Sequence, residues 1–353
     1  MMEAGFWHRL ENGRIQCDLC PRDCRLADGQ RGFCFVRARE GDRMVLTTYG
    51  RSSGFCVDPV EKKPLHHFLP GTPILSFGTA GCNLACTFCQ NWDISKARQM
   101  DRLAEYAAPE AVAAAAARAG CRSVAYTYNE PIIFLEYAVD VARACRALGI
   151  QSVAVTAGYI HPEPARLFFG EMDAANVDLK AFSESFYHRL TGGHLQPVLD
   201  LLEYLCKETS VWVELTTLLI PGENDSDAEL DGLTGWVLEH LGPAVPIHFS
   251  AFRPEWKMLD KPATPLATVQ RARRLALANG LRYVYTGNVV DPEGGTTCCH
   301  QCGGRLIERA GYQVTGWGLD DTGRCRVCQA ACAGRFAGAP GSWGSRRQPV
   351  RMT

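Results

Sequence analysis

Cys82, Cys86 and Cys89 form a CxxxCxxC set just after the apolar run Pro73-Ile74-Leu75-Ser76-Phe77. Thiolates are the usual protein ligands of iron–sulfur clusters, which normally take four. Three ligands this close suit three irons of a four-iron cube. The fourth iron then stays open to an exogenous ligand, as catalytic metal sites keep one position open. The spacing also fits buried thiols or half of a zinc site. In a chain with 17 cysteines the motif alone does not choose among them.

The cysteines are unevenly distributed. Cys17, Cys20, Cys24 and Cys34 form one group and Cys298, Cys299, Cys302, Cys325, Cys328 and Cys332 another, on either side of the central three. Clustered cysteines in a reducing compartment more often hold metals than disulfides. The N-terminus has no apolar signal core, and no run approaches the length that spans a bilayer. A soluble, cytoplasmic protein is therefore expected. A net charge of −1 offers no global field for nucleic acid or anionic lipid.

Four units are expected along the 353 residues. Residues 1–70 read as a Cys-rich module. Turn-forming Gly, Pro and Asp lie between its cysteines, as a metal knuckle needs. Zinc is the first expectation there, with an iron–sulfur cluster and metal-free thiols as alternatives. Residues 61–70 read as a polar and aromatic linker, with His66 and His67 in surface or packing roles.

Residues 71–292 alternate strand and helix. Strands are predicted at 74–78, 123–127, 152–156, 176–179, 212–219, 247–252 and 283–285. Helices are predicted at 109–119, 131–148, 195–207, 226–240 and 264–278, with a stop at Gly149 and an N-terminal signal at Ser226. Repeated units of this kind imply parallel strands with right-handed crossovers. The expected fold class is α/β, as a partial or full (β/α) barrel, with an open sheet also compatible. Active sites in such folds lie at the C-terminal strand ends. The cysteine loop, Tyr126–Pro131, Thr156–Tyr159, Asp178-Leu179-Lys180, Glu214–Thr217 and His248-Phe249-Ser250 all fall at that height.

Residues 293–336 carry the paired knuckles Cys299-x-x-Cys302 and Cys325-x-x-Cys328, a zinc-ribbon pattern with a hairpin between them. Arg305, Arg309, Arg324 and Arg326 offer a local basic patch. Residues 337–353, rich in Gly, Pro, Ser and Arg, read as a disordered tail.

With these residues in view, the sequence resembles the radical S-adenosylmethionine (SAM) superfamily. Within it, the chain is similar to the branch related to pyruvate formate-lyase activating enzyme and, more narrowly, to the AmmeMemoRadiSam system radical SAM enzymes. The resemblance rests on Cys17-Asp18-Leu19-Cys20-Pro21, Asp58–Pro64, Gly81–Asn91, Tyr126–Pro131, Val177–Lys180 and Ile220–Asp225. It implies that Cys82, Cys86 and Cys89 hold a [4Fe-4S] cluster whose open iron chelates SAM. It also implies that Phe88 and Gln90 touch adenine and that Asn129-Glu130 receives the methionine ammonium. Asp178 and Lys180 would meet the ribose and methionine carboxylate, and His248 would lie near the adenosine.

The implied reaction is reductive cleavage of SAM to methionine and a 5′-deoxyadenosyl radical, which takes hydrogen from an unidentified substrate. A flavodoxin or ferredoxin is the implied donor, with Memo-like and AMMECR-like system partners. Two other functions are compatible with the sequence. One is activation of a glycyl-radical enzyme. The other is a zinc-ribbon nucleic-acid-binding protein with a regulatory cluster.

Overall fold

The computed structural model describes residues 2–96 and 105–352. Seven parallel strands carry the core: β1 Pro73–Gly78, β2 Ser123–Tyr126, β3 Gln151–Thr156, β4 Ala174–Asp178, β5 Trp212–Leu219, β6 Ile247–Ala251 and β7 Val284–Gly287, side by side in chain order. Each lies within two residues of its predicted span at both ends. The connecting helices include α1 Pro109–Arg118, α2 Leu135–Ala147, α3 Pro162–Phe169, α4 Gln196–Glu208, α5 Asp227–Trp236 and α6 Leu266–Ala278. The short α3 is absent from the sequence reading. Pro162 and Pro164 in its first turn suit a helix start but mask its apolar periodicity.

Side chains alternate between the two faces of each strand. Leu75, Phe77, Val124, Ala154, Val177 and Leu215 join the helices in one continuous core. Ile74, Ala125, Val153 and Ala174 point the other way, onto Val60, Leu65, Phe68 and Leu69. Helices on one face and a plugging segment on the other is the layering of a barrel cut open.

The stretch expected to be a linker is thus the filling of the inner face. Both His66 and His67 are buried, which selects packing from the surface or packing roles expected of them. Glu214 on β5 fixes their backbone, its carboxylate accepting from the N–H of His66 at 2.9 Å and of His67 at 2.7 Å. Arg309 holds the same segment from the C-terminal module, donating to the carbonyl of His66 at 2.6 Å.

The unit boundary at residue 70 also shifts. Arg51–Pro59 is an antiparallel strand against β1 and extends the core sheet. The rest of the N-terminal module is two small antiparallel sheets. Arg37, 1% exposed, joins that module to α2 through Glu136, with contacts of 2.5 and 2.6 Å.

The tail is ordered through Met352, contrary to the disorder expected from its composition; Thr353 lies outside the described residues. Gln348–Pro349 pairs with Cys56 and Val57, and the N–H of Trp343 donates to Gly71. Trp343, Val350 and Met352 pack on the core. An open sheet edge is a liability that this segment covers, and three apolar anchors offset the cost of ordering it. Among the described residues no helix is long and apolar enough to cross a membrane.

Glu136→Ala leaves the buried guanidinium of Arg37 without its carboxylate. The expected loss is about 3–5 kcal/mol of stability. Urea unfolding of the metal-free chain measures it, and a loss below about 1 kcal/mol would show that the pair does not dock the module.

Candidate functional site

The C-terminal ends of β1 to β4 meet at one mouth. The loop after β1 carries the three cysteines, and its shape is set by Asn129 after β2. The Asn129 side chain accepts from the N–H of Thr79 at 2.9 Å. Its amide donates to Thr79 Oγ1 at 3.2 Å, Ala80 O at 3.3 Å and Gly81 O at 3.0 Å. Gly78 makes room for this clamp, since a Cβ there would stand 2.6 Å from Asn129 Oδ1. The Asn129 side chain therefore positions the loop, which leaves open the backbone role that the resemblance implies for Asn129-Glu130.

The next residue ties a third strand end. Glu130 accepts from Thr156 Oγ1 at 2.5 Å and Ile132 N at 3.2 Å on one oxygen, and from Ala157 N at 2.8 Å on the other. It is 3% exposed, and burial pushes its carboxyl up to about 7 despite those donors. Lys180 acts on it only through space. An acceptor site remains on the second oxygen.

Lys180, at the end of β4, holds Asp178 at 2.7 Å, and its charge also reaches Cys86. Lys96 adds positive charge toward both Cys82 and Cys86. Burial, reinforced by the charge of Glu130, pushes the Cys82 thiol up to about 12. Its proton leaves readily only when a cation takes its place. Cys89 Sγ lies 3.1 Å from Ser95 Oγ.

The loop backbone is pinned from outside as well. Ala85 and Thr87 donate to Thr191 and Leu190, and Lys257 donates to Thr87. A cavity of about 290 Å³ opens beside the loop, lined by Cys34, Cys82, Ser95, Lys96 and Trp256 among others.

The remaining sequence-predicted residues divide. The Phe88 ring is buried against Phe186, with centroids 5.7 Å apart, so it walls the loop. Gln90 is exposed. His248 does not join the cysteines. Its Nε2 meets Glu214 at 2.7 Å, and its ring lies against His66 and Tyr285 on the plugged inner face. Burial opposes the Glu214 charge, but the His248 hydrogen bond, the positive charge His248 and His67 can carry and the His66 backbone N–H together hold its carboxyl below the usual range. Thr156, Ser95 and Lys96 are additions that the sequence reading did not single out as site residues. Thr156 had the signal of a polar strand end; the lysine and serine had none, because a tertiary turn brings them in.

At the far end of the chain, Cys299, Cys302, Cys325 and Cys328 converge, with all four sulfurs within 4.8 Å of one another. That donor set can hold one metal ion. It sits beside a three-stranded antiparallel sheet of Thr297–Cys298, Arg305–Ala310 and Gln313–Trp317. Of the arginines expected nearby as a basic patch, Arg305 pairs with Glu293 and Glu308 and Arg309 is buried, whereas Arg324 and Arg326 stay exposed and charged, each donating to a backbone carbonyl.

Residues 77–231 match the model of the radical SAM superfamily. A protein of Methanocaldococcus jannaschii, described only as uncharacterized, is 38% identical over 329 residues, which is 93% of this chain and 98% of that protein. The pyruvate formate-lyase 1-activating enzyme of Escherichia coli K12 is 27% identical over 167 residues, covering 45% of this chain and 65% of the enzyme. Among solved structures, SuiB of Streptococcus suis bound to its precursor peptide SuiA aligns with a TM-score of 0.50, covering 65% of this chain and 51% of SuiB. At 15% identity that likeness concerns the fold.

Asn129→Ala removes the clamp and leaves buried groups of residues 79–81 unpaired, at an expected cost of about 1–3 kcal/mol. Hydrogen exchange at Thr79 should quicken, with exchange in β5 unchanged. Unchanged protection at Thr79 would mean that the loop is held by other contacts.

Proposed function

This chain belongs to the radical SAM superfamily, and from that membership we propose a radical SAM enzyme in which Cys82, Cys86 and Cys89 hold the [4Fe-4S] cluster. When bound, the cluster supplies the electron that cleaves SAM to methionine and a 5′-deoxyadenosyl radical able to take hydrogen from a substrate. The donor set fits it: three thiols from one clamped loop, with Lys96 and Lys180 supplying the charge that favours thiolates.

The observation that carries this reading is the meeting of those thiols with Glu130. This carboxylate is buried, hydrogen-bonded to neutral donors and, among the described residues, without a cation in contact. A ligand ammonium would complete its charge balance. Lys180 is then the partner for a ligand carboxylate, and Asp178, more than a third exposed, is free to accept from a ribose hydroxyl. Gln90 stands at the exposed edge for adenine. Phe88, Phe186 and Leu84 close the apolar wall that keeps water from a reactive intermediate.

In this reading Cys299, Cys302, Cys325 and Cys328 hold zinc. Electrons come from a flavodoxin or ferredoxin in the cytoplasm, and the substrate is brought with Memo-like and AMMECR-like partners. The match to an activating enzyme supports a second reading, activation of a glycyl-radical protein.

Anaerobically reconstituted, reduced protein given SAM should release 5′-deoxyadenosine, and Cys86→Ala should abolish release. A verified cluster without product would sink both radical readings. The pH dependence follows from Glu130. Its carboxyl is raised to about 7 by burial, so it is neutral below that pH and charged above it. Its contribution to stability is complete below the unfolded value and is lost as pH rises through 7. Binding an ammonium needs the charged form. SAM affinity of the cluster-loaded protein should therefore climb between pH 6 and 8, with proton release at pH 6 seen by calorimetry in buffers of different ionisation enthalpy. Glu130→Gln should bind more weakly and with a flat profile; a wild-type-like slope in that variant would remove Glu130 from the site.

A further inference from the structure

We propose that the turn Tyr187–Thr191 holds Lys180 in register with the cysteine loop, with Tyr187 and Asn224 as positioning residues, and so sets where a bound SAM carboxylate lies relative to the cluster. The carboxylate part rests on the reading of Lys180 as that group's partner.

Lysine carries its charge on a flexible four-carbon stem, so its ammonium is placed only as well as its backbone and its partner are fixed. The corner after β4 meets that need with side chains from other segments. The N–H of Lys180 donates to Tyr187 Oη at 3.1 Å. Its carbonyl accepts from Asn224 Nδ2 at 2.7 Å. One residue earlier, the Leu179 carbonyl accepts from Thr217 Oγ1 at 2.7 Å. The stem then runs to Asp178, 2.7 Å from the ammonium. Among the described residues that is the ammonium's one hydrogen-bond partner, so two of its three donors are left for a ligand.

Tyr187 is fully buried at the head of a π-helical turn, Tyr187–Thr191, which Gly192 ends at φ 64°. Single turns of this kind are rare and frequent at functional sites. The turn is closed on itself, with the Tyr187 carbonyl accepting from Thr191 Oγ1 at 2.7 Å and Gly193 N at 3.2 Å. Carbonyls at a helix end lack partners within the helix. Here they serve the cysteine loop: Leu190 accepts from Thr87 N at 2.9 Å and Thr191 from Ala85 N at 2.8 Å. Packing repeats the contact. Phe186 lies against Phe88, and Gly193 passes Leu84 so closely that a Cβ would stand 2.8 Å from it. One turn thus grips the loop that carries Cys86 through its carbonyls, and the backbone of Lys180 through the Tyr187 hydroxyl.

Asn224 closes the other side. It is 1% exposed and spends its whole side chain on backbone. Its Oδ1 accepts from Ile220 N at 2.7 Å, and its amide donates to Leu218 O at 2.9 Å as well as to Lys180 O. It belongs to the motif Ile220–Asp225, and Glu223 of that motif pairs with Arg189 of the turn at 2.6 Å. Motif and turn therefore hold one another as well as Lys180. Contacts that only stabilised the fold could fall anywhere along β4. These two fall on the residue proposed to meet the carboxylate.

The test uses the full chain reconstituted anaerobically with iron and sulfide, left unreduced, with SAM as the probe. Tyr187→Phe removes a single oxygen. It should keep wild-type iron and quicken hydrogen exchange at the Lys180 amide, while Ala85 and Thr87 keep their protection. SAM binding, followed by calorimetry, should weaken about tenfold. The same change made in Lys180→Met should cost nothing further, because its effect passes through Lys180. Wild-type SAM affinity in Tyr187→Phe, with only the urea midpoint lowered, would show a folding role alone and overturn the proposal. Equal losses with and without Lys180 would overturn it too. Wild-type affinity in Lys180→Met, or no SAM binding by the wild type, would instead overturn the reading on which the carboxylate part rests. Exchange at Lys180 then decides the joint, quickened in support and unchanged in refutation. If Tyr187→Phe does not fold, Thr191→Val, which removes the hydroxyl that closes the turn, takes its place, with the same loss of SAM affinity and the same dependence on Lys180 expected.

Discussion

The turn Asn129-Glu130 ties together the mouth on which the site depends. Asn129 fixes the path from β1 into the cysteine loop, and Glu130 fixes the end of β3. Two consecutive side chains thus couple three strand ends, one set of contacts facing the loop and the other facing the proposed ligand. The chain reaches this turn through Tyr128 at φ 71°, a left-handed conformation that a bulky residue adopts only when its surroundings enforce it. Lys63 over its ring, 4.9 Å from the centroid, and Asp58, 3.2 Å from its hydroxyl, supply that enforcement. Both come from Asp58–Pro64, one of the motifs that carried the family resemblance. That motif acts here as the brace of the turn.

The opposite end of the sheet is closed by a different balance of charge. Glu214 gathers four donors: two backbone N–H groups, the Trp212 indole and His248. A buried carboxylate so fully satisfied holds the plug without needing a lysine or arginine in contact. Glu61 and Arg309 sit beside it, 3.9 Å apart, with one buried nitrogen or oxygen on each left without a partner. The contrast with Glu130 is informative. Both carboxylates are buried, Glu214 on β5 and Glu130 in the turn after β2, yet one is pulled below the usual range and the other pushed above it. The first is a finished structural joint. The second still has charge to balance, and it is the one beside the cysteines.

The sheet was legible because each strand is a short apolar run between helices of strong periodicity, and local pattern sets both. The cysteine loop, Glu130 and Lys180 were legible as a site because strand-end position follows from that order. Four readings needed contacts that no local pattern carries. His66 and His67 look polar and external, but Glu214, 147 or more residues away, takes their backbone inside. His248 occupies an inward strand position as expected, but the plug captures it. The tail has the composition of a disordered segment, yet Trp343, Val350 and Met352 anchor it along an open edge. For Asn129 the motif marked the position, and only the three-dimensional turn shows that its side-chain amide clamps the loop backbone.

Cysteine motifs illustrate the same division between what spacing fixes and what it leaves open. CxxC pairs and a CxxCxxxC set both announce metal ligands, but residue spacing does not determine how far apart the sulfurs finally lie. Backbone geometry determines that. In the C-terminal module two knuckles face each other beside a small sheet and their sulfurs collapse to the compass of one ion. In the N-terminal module the carbonyl of Cys34 is wedged against Gly81, so this cysteine is held by the loop that carries Cys82. The module and the mouth at the strand ends are joined by the packing of Cys34 against Gly81 and by the Arg22 hydrogen bond to the carbonyl of Asn83.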